Sequence, residues 1–412
     1  MSQDVQAVVV ESLVKIGLLI FALMTAAAYL VLLERWIAAW VQDRIGPNRV
    51  GIPLTRIKLF GLGQPLADGL KFIFKEEITP RHVDKVLYTL APITILATAL
   101  AIFAVIPFGS VFPTGSAAAA EPGDRPPIEL VVAPGVDVGV IYVFALSSIA
   151  VYGVILGGWA SNNKYSFLGG LRSSAQLIAY ELPLGLGILG VVLLAGSLRL
   201  DTIIGAQAES GIWYVFWQPL GFVVFVVAAF AEAARLPFDL PEAEQELVGG
   251  YHTEYSGMRL LMFLIAEFLH MVTASFLIVI LFLGGWHLWG VTGSGNEVTW
   301  LGAAARVLVL MAKVLLVILF FMMVRWSWPR FRFDQLMALA WKVMLPLGLV
   351  NLVAVAVLAE YGDRLQQAAA VPRWALLVGM WAVAIAAWLI AGLAAPLQTD
   401  NRPRWELDHS SL

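Results

Sequence analysis

The composition of this chain is that of a membrane protein. It has 412 residues, of which 60% are hydrophobic and only 13% are charged, whereas soluble domains carry about 25% charged residues. The formal net charge of −3 excludes a basic surface for nucleic acid. Cysteine is absent, which excludes disulfides and iron–sulfur clusters ligated by this chain.

Nine apolar stretches have the length of about 20 residues that a membrane-spanning helix needs. One such stretch could be a buried core helix, but nine in a single chain predict an all-α polytopic membrane protein. The predicted spans are 12–33, 87–107, 139–160, 177–197, 217–235, 259–284, 304–324, 337–359 and 373–395.

Lysine and arginine lie mostly on one side of these spans. They cluster in 34–86, recur in the alternate loops 161–176 and 325–336, and flank the loop 236–258 as Arg235 and Arg259, while 285–303 has none. Because cytoplasmic loops carry the excess of positive charge, we expect the N-terminus outside and the C-terminus in the cytoplasm.

The segment 66–75 has two distinct helical faces. Leu66, Leu70 and Phe74 share one face, and Lys71 lies on another. This pattern predicts an amphipathic helix that lies at the cytoplasmic membrane interface.

Carboxylates within the spans are candidate functional groups, because a charge at membrane depth is costly. Glu267 lies eight residues beyond Arg259, about 12 Å into its helix, and no lysine or arginine lies within a turn of it in sequence. We therefore expect a lone carboxylate that exchanges a proton; the alternative is a neutral, hydrogen-bonded acid.

Two other acidic positions have simpler explanations. Tyr180–Glu181 begins the fourth predicted span, where a helix dipole would favour the negative charge. Glu232 and Arg235 are three residues apart and can form an ion pair on one helix face.

The densest acidic cluster follows Arg235. Glu242 and Glu246 would share one face of a helix, and like charges at that spacing repel. Such a pair can take up protons. A solvated acidic loop is the alternative, but the interleaved apolar residues and the adjacent spans favour the wall of a pocket.

Motifs for cofactors are missing from the sequence. Its five histidines have no metal-ligand spacing, and neither a dinucleotide fingerprint nor a Walker loop is present. We therefore expect no metal site, no cofactor bound by this chain and no redox chemistry by its side chains, so electrons would come from another polypeptide.

Four motifs together resemble one family. They are Glu34–Arg35 with 42–51 and 64–76, Ser173–Glu181, Ala231–Tyr255 and Pro329–Met337. Over residues 12 to 360 the chain resembles the H-type membrane subunit of NADH-quinone oxidoreductase, respiratory complex I.

The resemblance implies a subunit of the inner (plasma) membrane that forms much of a quinone chamber and couples quinone reduction to proton pumping. Quinone would be the substrate, with FMN and iron–sulfur clusters in partner subunits of the peripheral arm; small membrane subunits and lipid would be its neighbours. Residues that match the family's chamber are Arg35, Asp68, Arg235, Asp239, Glu242, Glu246 and Arg330. Residues that match its proton path are Tyr180, Glu181, Glu232 and Glu267.

The sequence departs from the family in three places. The 52–63 segment is longer than usual, and Phe268 replaces a tyrosine found in many members, so that a water would have to supply the lost hydroxyl. Residues 361–412 would add a helix and a cytoplasmic tail to the 1–360 domain. A related subunit of a membrane-bound hydrogenase or ferredoxin-fed complex is the alternative function.

Overall fold

The regular structure of the described residues is entirely helical. A computed structural model describes residues 3–51, 60–110, 128–239, 248–289, 292, 299–368 and 372–394, and these hold no β-strand, which confirms the predicted all-α class. The helices are α1 (Gln3–Val41), α2 (Gln64–Phe74), α3 (Lys85–Ala101), α4 (Gly139–Ala160), α5 (Lys164–Ala195), α6 (Leu200–Ser210), α7 (Tyr214–Trp217), α8 (Pro219–Glu232), α9 (Gly257–Phe282), α10 (Trp300–Ser327), α11 (Phe333–Ala338), α12 (Leu345–Ala368) and α13 (Arg373–Ala394). A π-helical segment, Leu339–Met344, joins α11 to α12.

Within the described residues, eight helices are long and apolar enough to cross a membrane. The remaining predicted span, 217–235, forms the shorter helix α8 of 14 residues, which is about 21 Å long. The predicted amphipathic segment is helix α2, whose Leu66 and Phe74 side chains are exposed.

Helix α9 forms the centre of the bundle. In the most hydrophobic 18-residue stretch of α9, 78% of the residues are buried. In the corresponding stretch of α13, which lies at the periphery, 11% are buried. Helix α9 packs against α1, α3, α8 and α10. Glu267, on α9, is therefore surrounded by protein rather than by lipid.

Helix α5 begins earlier than predicted. Asn163 accepts a hydrogen bond from the Tyr165 amide at 2.9 Å, and the helix starts at Lys164. The loop predicted at 161–176 is thus mostly helical, and Glu181 lies in the middle of α5 instead of at its N-terminus. The hydropathy pattern does not reveal the first half of α5, because polar residues there interrupt the apolar run. Since Glu181 is not at the N-terminus of the helix, the helix dipole does not explain its position.

The helix is interrupted between α7 and α8, and side chains from other helices form hydrogen bonds to backbone groups on both sides of this break. Asn351 of α12 is 1% exposed, and its Oδ1 accepts a hydrogen bond from the Gly221 amide at 3.0 Å. On the other side of the break, Trp381 Nε1 of α13 donates to the Phe216 carbonyl at 3.1 Å. Backbone groups at membrane depth need such partners, since lipid offers none.

Glycines make room for the polar groups at this break. A Cβ at Gly190 would lie 2.4 Å from the Gln218 Oε1, and one at Gly221 would lie 2.6 Å from Asn351 Nδ2. The approach of α5, α8 and α12 around Gln218 therefore requires hydrogen in place of a side chain at both positions.

Candidate functional site

A large cavity opens between α1, α2, α9 and the segment that follows α1. Its volume is about 1440 Å³, and its walls are largely apolar, with residues such as Ala27, Val31, Leu260 and Leu264. Arg35, Asp68, Arg235 and Glu267 also line it. The cavity therefore combines a long apolar surface with charged groups at defined positions.

Arg35 and Asp68 meet on one side of the cavity. Arg35 Nη1 lies 2.7 Å from Asp68 Oδ2, and Gln64 Nε2 donates to the other carboxylate oxygen at 3.2 Å. Lys71 Nζ lies 3.7 Å from the same carboxylate. The Arg35–Asp68 pair joins the amphipathic helix α2 to α1, and Gln64 and Lys71 contact the same carboxylate from within α2.

A buried charge cluster forms the inner wall. Arg235 is 4% exposed; its Nη1 donates to Glu34 Oε2 at 3.0 Å, and its Nε lies 2.8 Å from Glu267 Oε1. Arg325 also bonds Glu34. The Phe268 ring centroid lies 4.2 Å from the Arg235 guanidinium carbon, a cation–π distance. Two arginines and two glutamates thus balance each other at the inner wall, where Arg235 and Glu34 are buried and Arg325 and Glu267 are partly exposed.

Two predictions about this cluster were wrong. Arg235 does not use Glu232 as its partner, and Glu267 is not a lone carboxylate. Helix α8 ends at Glu232, and Ala234 has a φ of 52°. The turn carries Arg235 off the helix face that the three-residue spacing assumed, towards α1 and α9.

A small acidic cavity lies behind the charge cluster. It has a volume of about 60 Å³ and is lined by Glu181, Glu232 and Glu267 together with His270 and Ser147. A further space of about 10 Å³ extends from Glu232 and His270. Glu267 lines both this acidic cavity and the large one, so its side chain borders the two spaces.

Two serines of α4 bind the carboxylates of the acidic cavity. The Ser147 hydroxyl bonds Glu232 Oε1, and the Ser148 hydroxyl bonds Glu181 Oε1. Three predicted residues of the proton path, Glu181, Glu232 and Glu267, are therefore brought together around one cavity.

The fourth residue predicted for that path, Tyr180, faces elsewhere. It is fully buried, and its hydroxyl donates to the Leu336 carbonyl at 2.9 Å. Its ring packs on Phe238 at 5.6 Å. In the described structure Tyr180 thus ties α5 to α11 instead of lining the acidic cavity.

Other predicted chamber residues lie on the α11 side. Asp239 and Arg330 are outside the described lining of the large cavity. Their segments are joined, because the Phe331 amide donates to the Pro237 carbonyl at 3.2 Å. Glu242 and Glu246 lie outside the described residues, as does most of the long 52–63 segment.

Comparison with known proteins identifies the family of this chain. The NADH dehydrogenase family profile matches residues 14–356. The chain belongs to this family. It is 48% identical over 340 residues to the H 1 subunit of NADH-quinone oxidoreductase from Geobacter metallireducens, and the match covers 82% of this chain and 94% of the relative.

Two further relatives are subunits of the same enzyme. The H subunit of NADH-quinone oxidoreductase from Leptospira biflexa is 46% identical over 82% of this chain and 91% of its own length. Subunit 8 of the same enzyme from Rhodothermus marinus is 44% identical, over 82% and 94%. This chain is accordingly a multi-pass membrane subunit of NADH-quinone oxidoreductase, and other subunits of that complex are its partners.

Helix α13 lies beyond the region that the NADH dehydrogenase family shares. The family match ends at residue 356, within α12. The division into a 1–360 domain and an additional 361–412 segment stays a prediction. The structure adds that α13 packs on α12 and α8 and reaches the break before α8 through Trp381.

Sequence reasoning missed several residues of the site of this NADH dehydrogenase subunit. In the sequence, Glu34 is followed by Arg35 at the end of the first predicted span, which is typical of an anchor at the membrane interface. Arg325 is one of several positive charges in a predicted cytoplasmic loop. Glu34 and Arg325 are both members of the buried cluster. Ser147 and Ser148 carry no sequence signal, since hydroxyls are common in membrane helices. Their significance comes from the carboxylates they contact.

Proposed function

We propose that this chain forms much of the quinone-binding chamber of NADH-quinone oxidoreductase and couples quinone reduction to proton pumping. The large cavity is the proposed chamber. Its apolar walls suit an isoprenoid tail, and its charged inner wall suits a polar headgroup whose charge changes on reduction. Its volume of about 1440 Å³ exceeds the roughly 300–1,000 Å³ of drug-sized ligand pockets.

The observation that carries the coupling proposal is the position of Glu267. Its carboxylate reaches Arg235 in the charge cluster and lines the acidic cavity as well as the chamber. A change of charge in the chamber would alter the attraction between Arg235 and Glu267, and so the tendency of Glu267 to hold a proton. A proton on Glu267 then faces Glu181 and Glu232 directly.

The sequence supports a proposed division of labour in the complex. With no cysteine and no dinucleotide motif, this chain supplies the site of quinone reduction, and partner subunits supply FMN, the iron–sulfur clusters and the electrons. We further propose that it lies in the cell inner membrane with its N-terminus outside and its C-terminus in the cytoplasm, as the distribution of lysine and arginine indicates.

The test compares two electron acceptors in the purified complex. Arg235→Lys keeps one positive charge but loses the fork that reaches Glu34 and Glu267 together. We expect NADH:quinone reductase activity to fall at least tenfold, while NADH oxidation with a hydrophilic artificial acceptor stays unchanged.

A matched control is Arg199→Lys. Arg199 pairs with Asp201 at 2.8 Å, outside both the chamber and the acidic cavity. The substitution should lower neither activity. Equal loss of both activities in an assembled Arg235→Lys complex would show that the cluster maintains structure throughout the complex and does not serve the quinone step specifically.

A further inference from the structure

Two neighbouring hydroxyls connect the carboxylates of the acidic cavity to a single helix. Ser147 and Ser148 are consecutive on α4, so their side chains point about 100° apart around its axis. Ser147 reaches Glu232 on α8, and Ser148 reaches Glu181 on α5. One turn of α4 thus places a hydroxyl against each of two carboxylates that come from different helices.

Ser148 has a second hydrogen-bond acceptor within reach. Its Oγ lies 3.0 Å from the Phe144 carbonyl, one turn earlier in α4. A serine hydroxyl has one proton to donate and two lone pairs that accept. It can therefore donate either to the Glu181 carboxylate or to the Phe144 carbonyl.

Both protonation states of Glu181 are satisfied by this arrangement. When Glu181 is ionised, Ser148 donates to it. When Glu181 is protonated, its carboxyl O–H donates to Ser148 Oγ, and the serine proton turns to the Phe144 carbonyl. Neither state leaves an unpaired polar group at this depth, where an unpaired group costs several kcal/mol.

The hydroxyl that contacts Glu232 belongs to Ser147. It lines the acidic cavity of about 60 Å³ and also the adjoining space of about 10 Å³. The larger of these spaces places three carboxylates among mainly apolar residues, and its volume has room for a water molecule. The hydroxyl of Ser147 therefore lies between Glu232 and the space that Glu267 opens into.

We propose that Ser147 and Ser148 are proton-transferring groups, which pass protons to Glu232 and Glu181 respectively. In each transfer the serine Oγ forms a new O–H bond with an incoming proton, which reaches Ser147 through the acidic cavity that it lines. Its original O–H bond breaks, and that proton bonds to the carboxylate oxygen. The serine is unchanged, one proton leaves the cavity and one carboxylate becomes neutral. This inference rests on the proposed coupling function and assigns two further residues to it.

His270 is the competing carrier. It lines both small cavities and could transfer protons without the serines. If it does, removal of both hydroxyls should leave pumping intact, whereas His270→Gln should abolish it. The two assignments therefore predict opposite results from the same set of variants.

The experiment uses the complete complex in proteoliposomes, with proton uptake and NADH:quinone reductase activity measured together. Ser147→Ala with Ser148→Ala should lower the pumping rate at least tenfold, in line with the roughly 10²–10⁴-fold contributions of positioned proton-transfer groups. Ser148→Thr, which keeps a hydroxyl, should retain most of the rate in the Ser147 wild-type background. Ser161→Ala is the control, because Ser161 is a buried serine just after α4 whose hydroxyl bonds the Gly157 carbonyl, whereas Ser147 and Ser148 bond carboxylates.

Wild-type pumping in the double alanine variant would overturn the proposal. If that variant does not assemble, Ser148→Cys keeps the volume with a weaker donor and should slow pumping severalfold; an unchanged rate would again contradict the role. Glu267→Gln distinguishes a failure of the proposed coupling function from a failure of the serine assignment. Normal pumping in Glu267→Gln would contradict the proposed coupling function itself, whereas a loss there with normal pumping in the serine variants would contradict only the serine assignment.

Discussion

Arg235 binds Glu267 across the wall between two cavities: its Nε lies 2.8 Å from Glu267 Oε1. The same guanidinium donates to Glu34, 201 residues earlier in the chain. Arg235 is therefore shared by two carboxylates. Glu267 also borders the acidic cavity, whereas Glu34 is outside its described lining. Any event that draws Arg235 towards Glu34 or towards a bound ligand weakens its hold on Glu267.

Glu267→Gln tests this relationship. The amide keeps the size and can accept from Arg235, but it carries no exchangeable acidic proton. We expect an assembled complex in which quinone reduction and proton pumping both fall, measured as NADH oxidation and as proton uptake in proteoliposomes. Unchanged pumping would mean that Glu267 is structural and that protons reach Glu181 and Glu232 by another route.

Glu34→Gln should destabilise the subunit. Glu34 bonds Arg235 and Arg325 in a buried setting, and removal of one member of a buried ion pair costs about 3–5 kcal/mol. We expect a lower midpoint of thermal unfolding for the purified complex. Glu11→Gln is the matched control on the same helix, because Glu11 forms an exposed pair with Lys15 and should leave the midpoint unchanged. Equal midpoints for both variants would contradict the assignment.

Asp68→Asn should raise the KM for quinone with little effect on stability. The Arg35–Asp68 pair is partly exposed, and such pairs contribute about 1 kcal/mol or less. Its loss frees α2 from α1 and widens one side of the cavity. Steady-state kinetics with a short-chain quinone measure the effect. A lower kcat at constant KM would place Asp68 in the chemistry rather than in binding.

Gly190→Ala should disturb the break before α8. The added Cβ would lie 2.4 Å from Gln218 Oε1 and 2.9 Å from Asn351 Nδ2, so both buried amides would have to move. We expect a fall of several degrees in the unfolding midpoint and reduced assembly. Gly185→Ala is the control within the same helix, since a Cβ there meets nothing within 4 Å. It should be neutral or slightly stabilising. A neutral Gly190→Ala would show that the polar cluster is not tightly packed.

Membrane orientation can be measured with reporters. A fluorescent protein that matures only in the cytoplasm, fused after Leu412, should be bright, and a reporter inserted in 108–138 should indicate the outside. The expected pattern follows from the bias of lysine and arginine towards one side. A dark, well-expressed C-terminal fusion would reverse the proposed orientation or change the number of spans.

The sequence alone was sufficient for the class of protein, eight of the spanning helices and the family. A run of about 20 apolar residues at membrane depth can satisfy its backbone only as a helix, so composition by itself predicts the element. Charged residues within such runs are few, which is why Glu181, Glu232 and Glu267 stand out before any contact is known.

Only the tertiary structure decided which of these charges meet. Spacing along the chain predicted a Glu232–Arg235 pair and a lone Glu267, and both were wrong because α8 ends at Glu232 and the chain then turns away. The partners of Arg235 come from α1 and α9. Such pairings depend on where a helix stops and how neighbouring helices are rotated, and these are set by packing between segments far apart in the sequence.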